Sequence, residues 1–294
     1  MIGLILLDKP ADMTSFLACS VVRGISKEKH VGHTGTLDPM ATGVLPILLG
    51  KATALSQYLT VSDKRYVATV KLGITTDTFD ITGNILTESK NIPEREEIER
   101  VVASFKGKQI QTPPIYSAIQ VDGRRLYDIA RNGGEVEIPQ REITVHSIEI
   151  VKFNPDGSFV IDVNCSKGTY IRSLASDIGK ALGCGAALSA LRRTVTAGFP
   201  IEKCVTLETL KQEGVEPFIL PPEEAVPDMK RINVTKKQAI RFTNGGALSA
   251  ERLTLNGLGC GEPAAVMQGG VMLGVGVLSE ESGELRPKTV INKI

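Results

Sequence analysis

The sequence is poor in the residues that metal sites require. Only three histidines occur in 294 residues, and they are His30, His33 and His146, with no H-E-x-x-H or similar spacing. The five cysteines are odd in number and include no C-x-x-C pair, which argues against a structural zinc site and against a disulfide framework. We therefore expect no bound metal ion.

Long apolar runs are also missing. No run approaches the roughly 18 residues that a membrane-spanning helix needs. The N-terminal residues 1–7 are apolar, but the run is short, lacks a basic leader and continues directly into Asp8. It predicts a buried strand rather than a signal peptide, so we expect a cytoplasmic protein without a membrane partner.

The composition is that of an ordinary globular chain, with 42% hydrophobic and 23% charged residues. Its length suits one large domain or a catalytic domain with an appended module. Prolines and acidic residues crowd residues 217–227 and predict a linker. From Pro227 onward, short runs broken by glycine predict a small β-rich barrel, and nine Lys and Arg against six Asp and Glu favour a nucleic-acid partner only weakly.

One stretch, residues 31–45, concentrates three glycines, three threonines and a proline around a single carboxylate, Asp38. This composition predicts tight turns rather than a regular helix or strand. Neither the G-x-x-x-x-G-K-[ST] nor the G-x-G-x-x-G phosphate-binding spacing is present. The residues alone leave two interpretations open, an N-capping aspartate in a structural turn or a catalytic carboxylate held by a rigid loop.

Three further features carry chemistry and also have plain structural explanations. Tyr66 lies in an alternating strand pattern, where sheet packing would explain it, and Arg172 follows a strand at the first turn of a helix, where a surface ion pair would explain it. Arg124 and Arg125 lie beside Tyr127 and fit either a solvated helix or phosphate contacts. A carboxylate, a phenol and a guanidinium could meet in one cleft, with Arg172 holding Asp38 ionised.

The stretch that runs from Gly32 to Leu45 resembles the signature of the TruB family of bacterial tRNA pseudouridine synthases. Six other elements of that family follow in its order. They are Lys9-Pro10, Lys64-Arg65-Tyr66, Thr76 to Gly83, Pro113 to Ala118, Ser166 to Arg172, and Leu191 to Arg193. One residue departs from the family pattern, because Asp12 stands where glycine is usual.

The resemblance implies an α+β fold with a mixed, mainly antiparallel sheet and flanking helices. Residues 1–226 would form the catalytic domain, with an RNA-contacting insertion near 117–142, and residues 227–294 a PUA-like RNA-binding domain. The activity implied is isomerisation of uridine 55 in the tRNA T-loop to pseudouridine after base flipping. This reaction needs no cofactor, and we expect a monomer that binds the T-arm.

The family also implies roles for particular residues. Asp38 would be the catalytic aspartate, with Arg172 keeping it ionised and Tyr66 stacking on the target base and able to take the C5 proton. His33 would fill the space that the flipped base leaves. The remaining residues expected to contact RNA or uracil are Lys9, Tyr170, Leu191, Arg124, Arg125, Lys236 and Lys237.

Two other functions compete with this one. A non-catalytic RNA-binding protein could use the same cleft, although binding alone would not need a buried carboxylate facing phosphates. A glycoside hydrolase would need a second carboxylate roughly 5 to 9 Å from the first, for which only Asp80 could be proposed, without support from its spacing.

Overall fold

The structure is a computed structural model, and it describes residues 1–59, 62–117, 120–121, 124–125 and 138–293. The chain divides into two compact units. The first comprises Met1–Pro39, Leu45–Val61 and Lys203–Ile294, and the second comprises Met40–Val44 and Ser62–Glu202. The domain boundary expected between residues 226 and 227 stays a prediction. Most of the expected insertion near 117–142 lies outside the described residues.

The chain begins with the predicted buried strand. In chain order the first elements are β1 (Gly3–Lys9), α1 (Ser15–Ser26), β2 (Val31–His33), β3 (Thr42–Leu49), a 3-10 helix (Gly50–Leu55) and α2 (Ser56–Leu59). Strand β1 is hydrogen-bonded to β3, and β2 pairs with β3 in antiparallel register. The expectation of turns throughout 31–45 was therefore wrong at both ends, because residues 31–33 and 42–45 belong to strands and only residues 34–41 lie between them.

Thr14 or Ser15 is predicted to cap a helix here, and in the structure the cap of α1 is Thr14, whose hydroxyl accepts a hydrogen bond from Leu17 N at 3.1 Å. The i, i+4, i+8 spacing of Leu17, Val21 and Ile25 predicts that these residues form the buried face, and this prediction was wrong. Leu17 is 48% exposed, whereas smaller side chains face the interior. The buried residues of α1 are Ser15, Ala18, Cys19, Val22 and Ser26. Helical spacing identifies a stripe, but the neighbouring elements decide which stripe is covered.

The second unit is built on an antiparallel sheet. Its elements are β4 (Lys64–Leu72), β5 (Ile74–Thr76), β6 (Ile85–Glu88), α3 (Arg95–Ser104), β7 (Gly107–Gln111), β8 (Gln120–Val121), β9 (Arg124–Arg125), β10 (Arg141–Phe153), β11 (Phe159–Cys165), α4 (Ile171–Ala181), β12 (Ala186–Thr196) and β13 (Phe199–Pro200). The strand order is β12-β4-β11-β10-β7. Helix α4 packs against β12 and β4.

The start of β3 belongs to this unit and explains one glycine of the predicted loop. Thr42 and Gly43 lie parallel to Arg192 and Arg193 of β12. A Cβ atom on Gly43 would lie 2.1 Å from the carbonyl oxygen of Arg193, and the φ of Gly43 is +106°. Both facts require glycine here. Glycine at this position therefore permits a close approach of the chain's own backbone.

Beyond residue 203 the first unit continues with α5 (Leu207–Glu213), 3-10 turns (Glu216–Phe218 and Pro222–Ala225), β14 (Lys230–Asn233), α6 (Lys236–Thr243), β15 (Leu248–Ser249), a 3-10 turn (Ala250–Arg252), β16 (Pro263–Gln268), β17 (Val271–Leu278) and β18 (Glu284–Val290). The last five strands form one sheet in the order β14-β16-β17-β18-β15. Ile232, Phe242, Val266 and Leu285 belong to its buried core.

The proline-rich stretch is not an exposed linker. Leu220 forms a bridge with Leu4 of β1, and Pro222 and Ala225 are buried.

Among the described residues, every helix is too short or too polar to span a lipid bilayer.

Candidate active site

Asp38 lies between β2 and β3, and both of its chain neighbours are anchored. The Ser15 hydroxyl accepts a hydrogen bond from Leu37 N at 2.9 Å and donates one to Leu37 O at 3.1 Å. On the other side, Pro39 O accepts hydrogen bonds from Met13 N at 3.3 Å and from Lys9 Nζ at 3.2 Å. The backbone that presents Asp38 is therefore fixed on both sides, as the rigid-loop interpretation requires.

Lys9 is fully buried and binds backbone rather than facing solvent. Besides Pro39 O, its ammonium group donates to Pro10 O at 2.7 Å and to Met13 O at 2.6 Å. These carbonyls bracket Asp12, whose φ is +57°. Aspartate at the family's glycine position thus adopts the left-handed conformation that glycine would supply. A direct contact between Lys9 and RNA stays a prediction, and its burial disfavours that contact.

His33 ends β2, where it pairs with Ile47 of β3. Its side chain is partly buried, five positions before Asp38. The expected role of His33 in filling the space left by the base stays a prediction.

Arg172 occupies the first turn of α4, and its side chain is 6% exposed. The guanidinium donates to Thr78 O at 3.2 Å and to Tyr116 O at 3.0 Å, and Nη1 lies 3.7 Å from Oδ2 of Asp80. The surface ion pair considered for Arg172 is therefore wrong, because the charge is buried. Its expected pairing with Asp38 stays a prediction.

Asp80 serves as a structural carboxylate. Its Oδ1 accepts hydrogen bonds from the Thr78 hydroxyl at 2.9 Å and from the backbone and hydroxyl of Thr82 at 2.9 and 2.5 Å. Its Oδ2 faces Arg172, and the residue is 4% exposed. A buried carboxylate that already accepts three hydrogen bonds and faces a guanidinium is poorly suited to serve as a second catalytic carboxylate, which argues against the glycoside-hydrolase alternative. No local sequence pattern indicated this structural role.

Tyr66 and Leu191 lie on the same face of the sheet. In the register of β4 and β12, Tyr66 is opposite Arg193 and Ala68 is opposite Leu191. Cross-strand partners share a face, as do residues two apart on one strand. Tyr66 is 7% exposed and Leu191 is 8% exposed. The structure therefore brings these two expected base contacts together on the sheet.

Tyr170 precedes α4 and is held by a residue that the sequence did not point to. Gln111, at the end of β7, accepts a hydrogen bond from Tyr170 N at 2.8 Å and donates one to Tyr170 O at 3.1 Å. The adjacent Thr112 O accepts from the Ser173 hydroxyl at 2.8 Å. Gln111 is 1% exposed, and Arg141 lies over the Tyr170 ring at 5.5 Å. These contacts fix the start of α4, and with it the backbone of Arg172.

The remaining candidates lie on short elements. Arg124 and Arg125 form β9, which pairs with Gln120 and Val121 of β8. Lys236 and Lys237 begin α6, are exposed, and follow a capping box made by Thr235 and Gln238. The positive end of the helix dipole disfavours lysines there unless an anion is close, so their position suits a phosphate partner.

The chain matches known family models along most of its length. The model for the TruB family pseudouridylate synthase N-terminal domain matches residues 23–171, and the model for the tRNA pseudouridylate synthase B C-terminal domain matches residues 172–227. The chain is 44% identical to tRNA pseudouridine synthase B of Clostridium tetani over 282 residues, which cover 95% of this chain and 96% of that protein. It is also 44% identical to tRNA pseudouridine synthase B of an Azoarcus species over 292 residues, which cover 98% and 94%.

Solved structures show the same architecture. A Cbf5-Nop10-Gar1 complex contains a chain with a TM-score of 0.74 and 28% identity, and the match covers 99% of this chain and 85% of that one. A chain of an H/ACA RNP bound to a substrate RNA gives a TM-score of 0.73 and 26% identity, with the same coverage. The expected fold, an α+β pseudouridine synthase fold with a C-terminal domain, is confirmed. On the sequence matches and on this fold, the chain belongs to the TruB family of pseudouridylate synthases.

Proposed function

We propose that this chain isomerises uridine 55 in the T-loop of tRNA by an aspartate-dependent mechanism that flips the base. Membership of the family makes the chain an isomerase that forms pseudouridine, and its relatives of 44% identity are tRNA pseudouridine synthases. The choice of uridine 55, the flipping step and the residue roles are the further content of the proposal.

The observation that carries the proposal is the double anchoring of the Asp38 loop. Isomerisation breaks the N1–C1′ bond, rotates the uracil and joins C5 to C1′, so atoms are conserved and no electrons are gained or lost. A carboxylate at a fixed position can add to C1′, add to C6 or abstract a ribose proton. All three routes require a carboxylate held at a fixed position. The hydrogen bonds of Leu37 and Pro39 keep the loop that carries Asp38 rigid.

The target uridine is stacked inside a folded loop and must leave the stack before a carboxylate reaches its ribose or ring. Extrusion costs a few kcal/mol, which stacking on an aromatic side chain offsets. Tyr66, supported on the sheet beside Leu191, would provide that surface and could accept the C5 proton. Tyr170 would line the uracil pocket, and His33 would occupy the vacated space.

Contacts with the rest of the tRNA would be electrostatic. Arg124, Arg125, Lys236 and Lys237 would bind phosphates, with residues 227–294 acting as the appended RNA-binding domain. Arg172 would stabilise the ionised form of Asp38, since a guanidinium favours the charged state of a carboxylate close to it.

The test follows tritium release from an unmodified tRNA carrying tritium at uracil C5. Wild-type protein is expected to release tritium and to place pseudouridine at position 55 when the product is mapped, whereas Asp38→Asn binds the tRNA and releases none. Binding without release by the wild type would indicate a non-catalytic RNA-binding protein. Pseudouridine mapped elsewhere would reject the choice of site, and release by Asp38→Asn at the wild-type rate would reject the role of Asp38.

A further inference from the structure

Three cationic side chains lie together at the start of β4, and we call Lys64, Lys167 and Arg193 the basic cluster. Lys64 opens β4 and is opposite Cys165 of β11. Lys167 follows Cys165 by two residues, and Arg193 of β12 is opposite Tyr66. Lys64 is partly buried, Arg193 is 1% exposed and Lys167 is exposed.

The charge of Lys64 is not balanced by a neighbouring carboxylate. Its ammonium group donates to Ser62 O at 2.6 Å, and within the described part of the chain no carboxylate forms an ion pair with it. The adjacent Asp63 is engaged elsewhere, since its Oδ2 lies 3.1 Å from Nε2 of His146 on β10. Arg65 points to the opposite face of β4, where Asp162 binds it at 2.7 Å.

The surroundings make the protonated form of Lys64 costly. Burial and, after it, the Arg193 guanidinium lower the pKa of Lys64 to about 8. Cys165 and Asp63 oppose this shift more weakly, and Lys167 adds the smallest effect, again lowering the pKa. A bound anion would relieve this cost by pairing with the ammonium group. The clustered positive charge therefore favours binding of an anion.

The position of Lys64 beside Tyr66 indicates which anion would bind. Lys64 and Tyr66 are two residues apart on one face of β4, a separation of about 7 Å along a strand. Within one nucleotide the ribose separates the base from its phosphates by a comparable distance, so a nucleotide whose base meets Tyr66 can place a phosphate near Lys64. We propose that the basic cluster is a phosphate site that binds the RNA backbone beside the target uridine. The inference rests on the proposed function for its ligand, an RNA strand.

The experiment measures binding of unmodified tRNA to the full chain in an Asp38→Asn background, so that substrate is not consumed. Lys64→Met is compared with Lys71→Met, because Lys71 lies on the same strand but on the opposite face, paired with Asp156 at 3.3 Å. Lys64→Met is expected to raise the Kd roughly tenfold, as loss of a charged hydrogen bond predicts. It should also reduce the slope of log Kd against log salt by about 0.7 to 0.9. Lys71→Met should leave both unchanged.

A pH series gives an independent reading. Phosphate binds the protonated lysine, so tRNA affinity with Lys64 present should weaken from about pH 7 to about pH 9, across the lowered pKa of about 8. Lys64→Arg keeps its charge over this range and should bind with little pH dependence.

Equal Kd and equal salt slope for Lys64→Met and Lys71→Met would overturn the phosphate site. If Lys64→Met does not fold, the pH series decides, because pH dependence that persists in Lys64→Arg also overturns it. A Lys64-dependent affinity in a protein whose wild type releases no tritium would uphold the phosphate site while rejecting the proposed function.

Discussion

Arg172 and Asp80 face each other inside the second unit, with Nη1 of the guanidinium 3.7 Å from Oδ2 of the carboxylate and both side chains 6% exposed. Backbone carbonyls of Thr78 and Tyr116 bind the same guanidinium. Asp80 is in turn held by Thr78 and Thr82. The turn around Asp80 thereby helps to set the position of Arg172.

Replacing Asp80 tests this support. Asp80→Asn keeps the shape of the side chain but removes its charge, and breaking a buried ion pair is costly. We expect single-turnover tritium release to slow roughly ten- to a hundredfold, corresponding to loss of about 1.5–3 kcal/mol. Asp162→Asn is the matched control, since it loses an exposed pair with Arg65 and should remain near the wild-type rate. Equal rates for the two variants would contradict the supporting role.

Ser15 tests the anchoring of the Asp38 loop. Ser15→Ala removes the partner of both Leu37 N and Leu37 O, in a place where the residue is 2% exposed. The expected cost is about 1–3 kcal/mol in the free energy of unfolding. We also expect kcat to fall more than KM rises, because the carboxylate is less well positioned while the RNA contacts persist. Urea denaturation and steady-state kinetics measure the two effects.

Ser20→Ala provides the control for Ser15, because the hydrogen bond of the Ser20 hydroxyl within the described part of the chain is to Phe16 O in the same helix. It should change stability and kcat little. A Ser15→Ala enzyme with the kcat of Ser20→Ala would show that the loop keeps its geometry without the anchor.

The backbone conformation of Asp12 predicts opposite effects on stability for two substitutions, to glycine and to valine. Its φ of +57° is accessible to glycine without strain and is costly for a β-branched residue. Asp12→Gly should leave the urea midpoint near or above that of the wild type. Asp12→Val should lower stability by about 1–2 kcal/mol. Because the side chain is exposed, a similar loss in both variants would mean that a side-chain contact matters more than the backbone conformation.

The buried cysteines should resist alkylation in a pH-dependent way. Burial raises the pKa of the Cys19 thiol to about 11 and that of the Cys165 thiol to about 11. Alkylation requires the thiolate, which at about pH 8 is then roughly one molecule in a thousand for these residues. Their reaction should therefore accelerate as the pH rises towards 11, whereas the exposed Cys260 reacts first at about pH 8. Peptide mass spectrometry after timed iodoacetamide treatment distinguishes these sites, and early modification of Cys165 would contradict its burial.

Sequence patterns predicted the elements whose signal is local. The alternation in β4 and the Thr14 cap of α1 both depend on residues within a few positions of one another. Sequence patterns were less successful where burial depends on other elements that pack against a segment. The covered stripe of α1 and the packed stretch at residues 217–227 both depend on which elements lie against them.

The sequence by itself determined the family, the single carboxylate at Asp38 and the placement of Arg172 at the start of a helix, because motifs and periodicity can be recognised from the order of the residues alone. Only the tertiary structure decided what holds them. Gln111 binds Tyr170 across 59 positions, Ser15 binds Leu37 across 22, and Gly43 is required by Arg193. A hydrogen bond or a close approach between residues distant in the chain leaves no local pattern, since neither partner's neighbours reveal the other. Burial of Lys9 and of Asp80 belongs to the same class, because exposure is a property of the packed molecule.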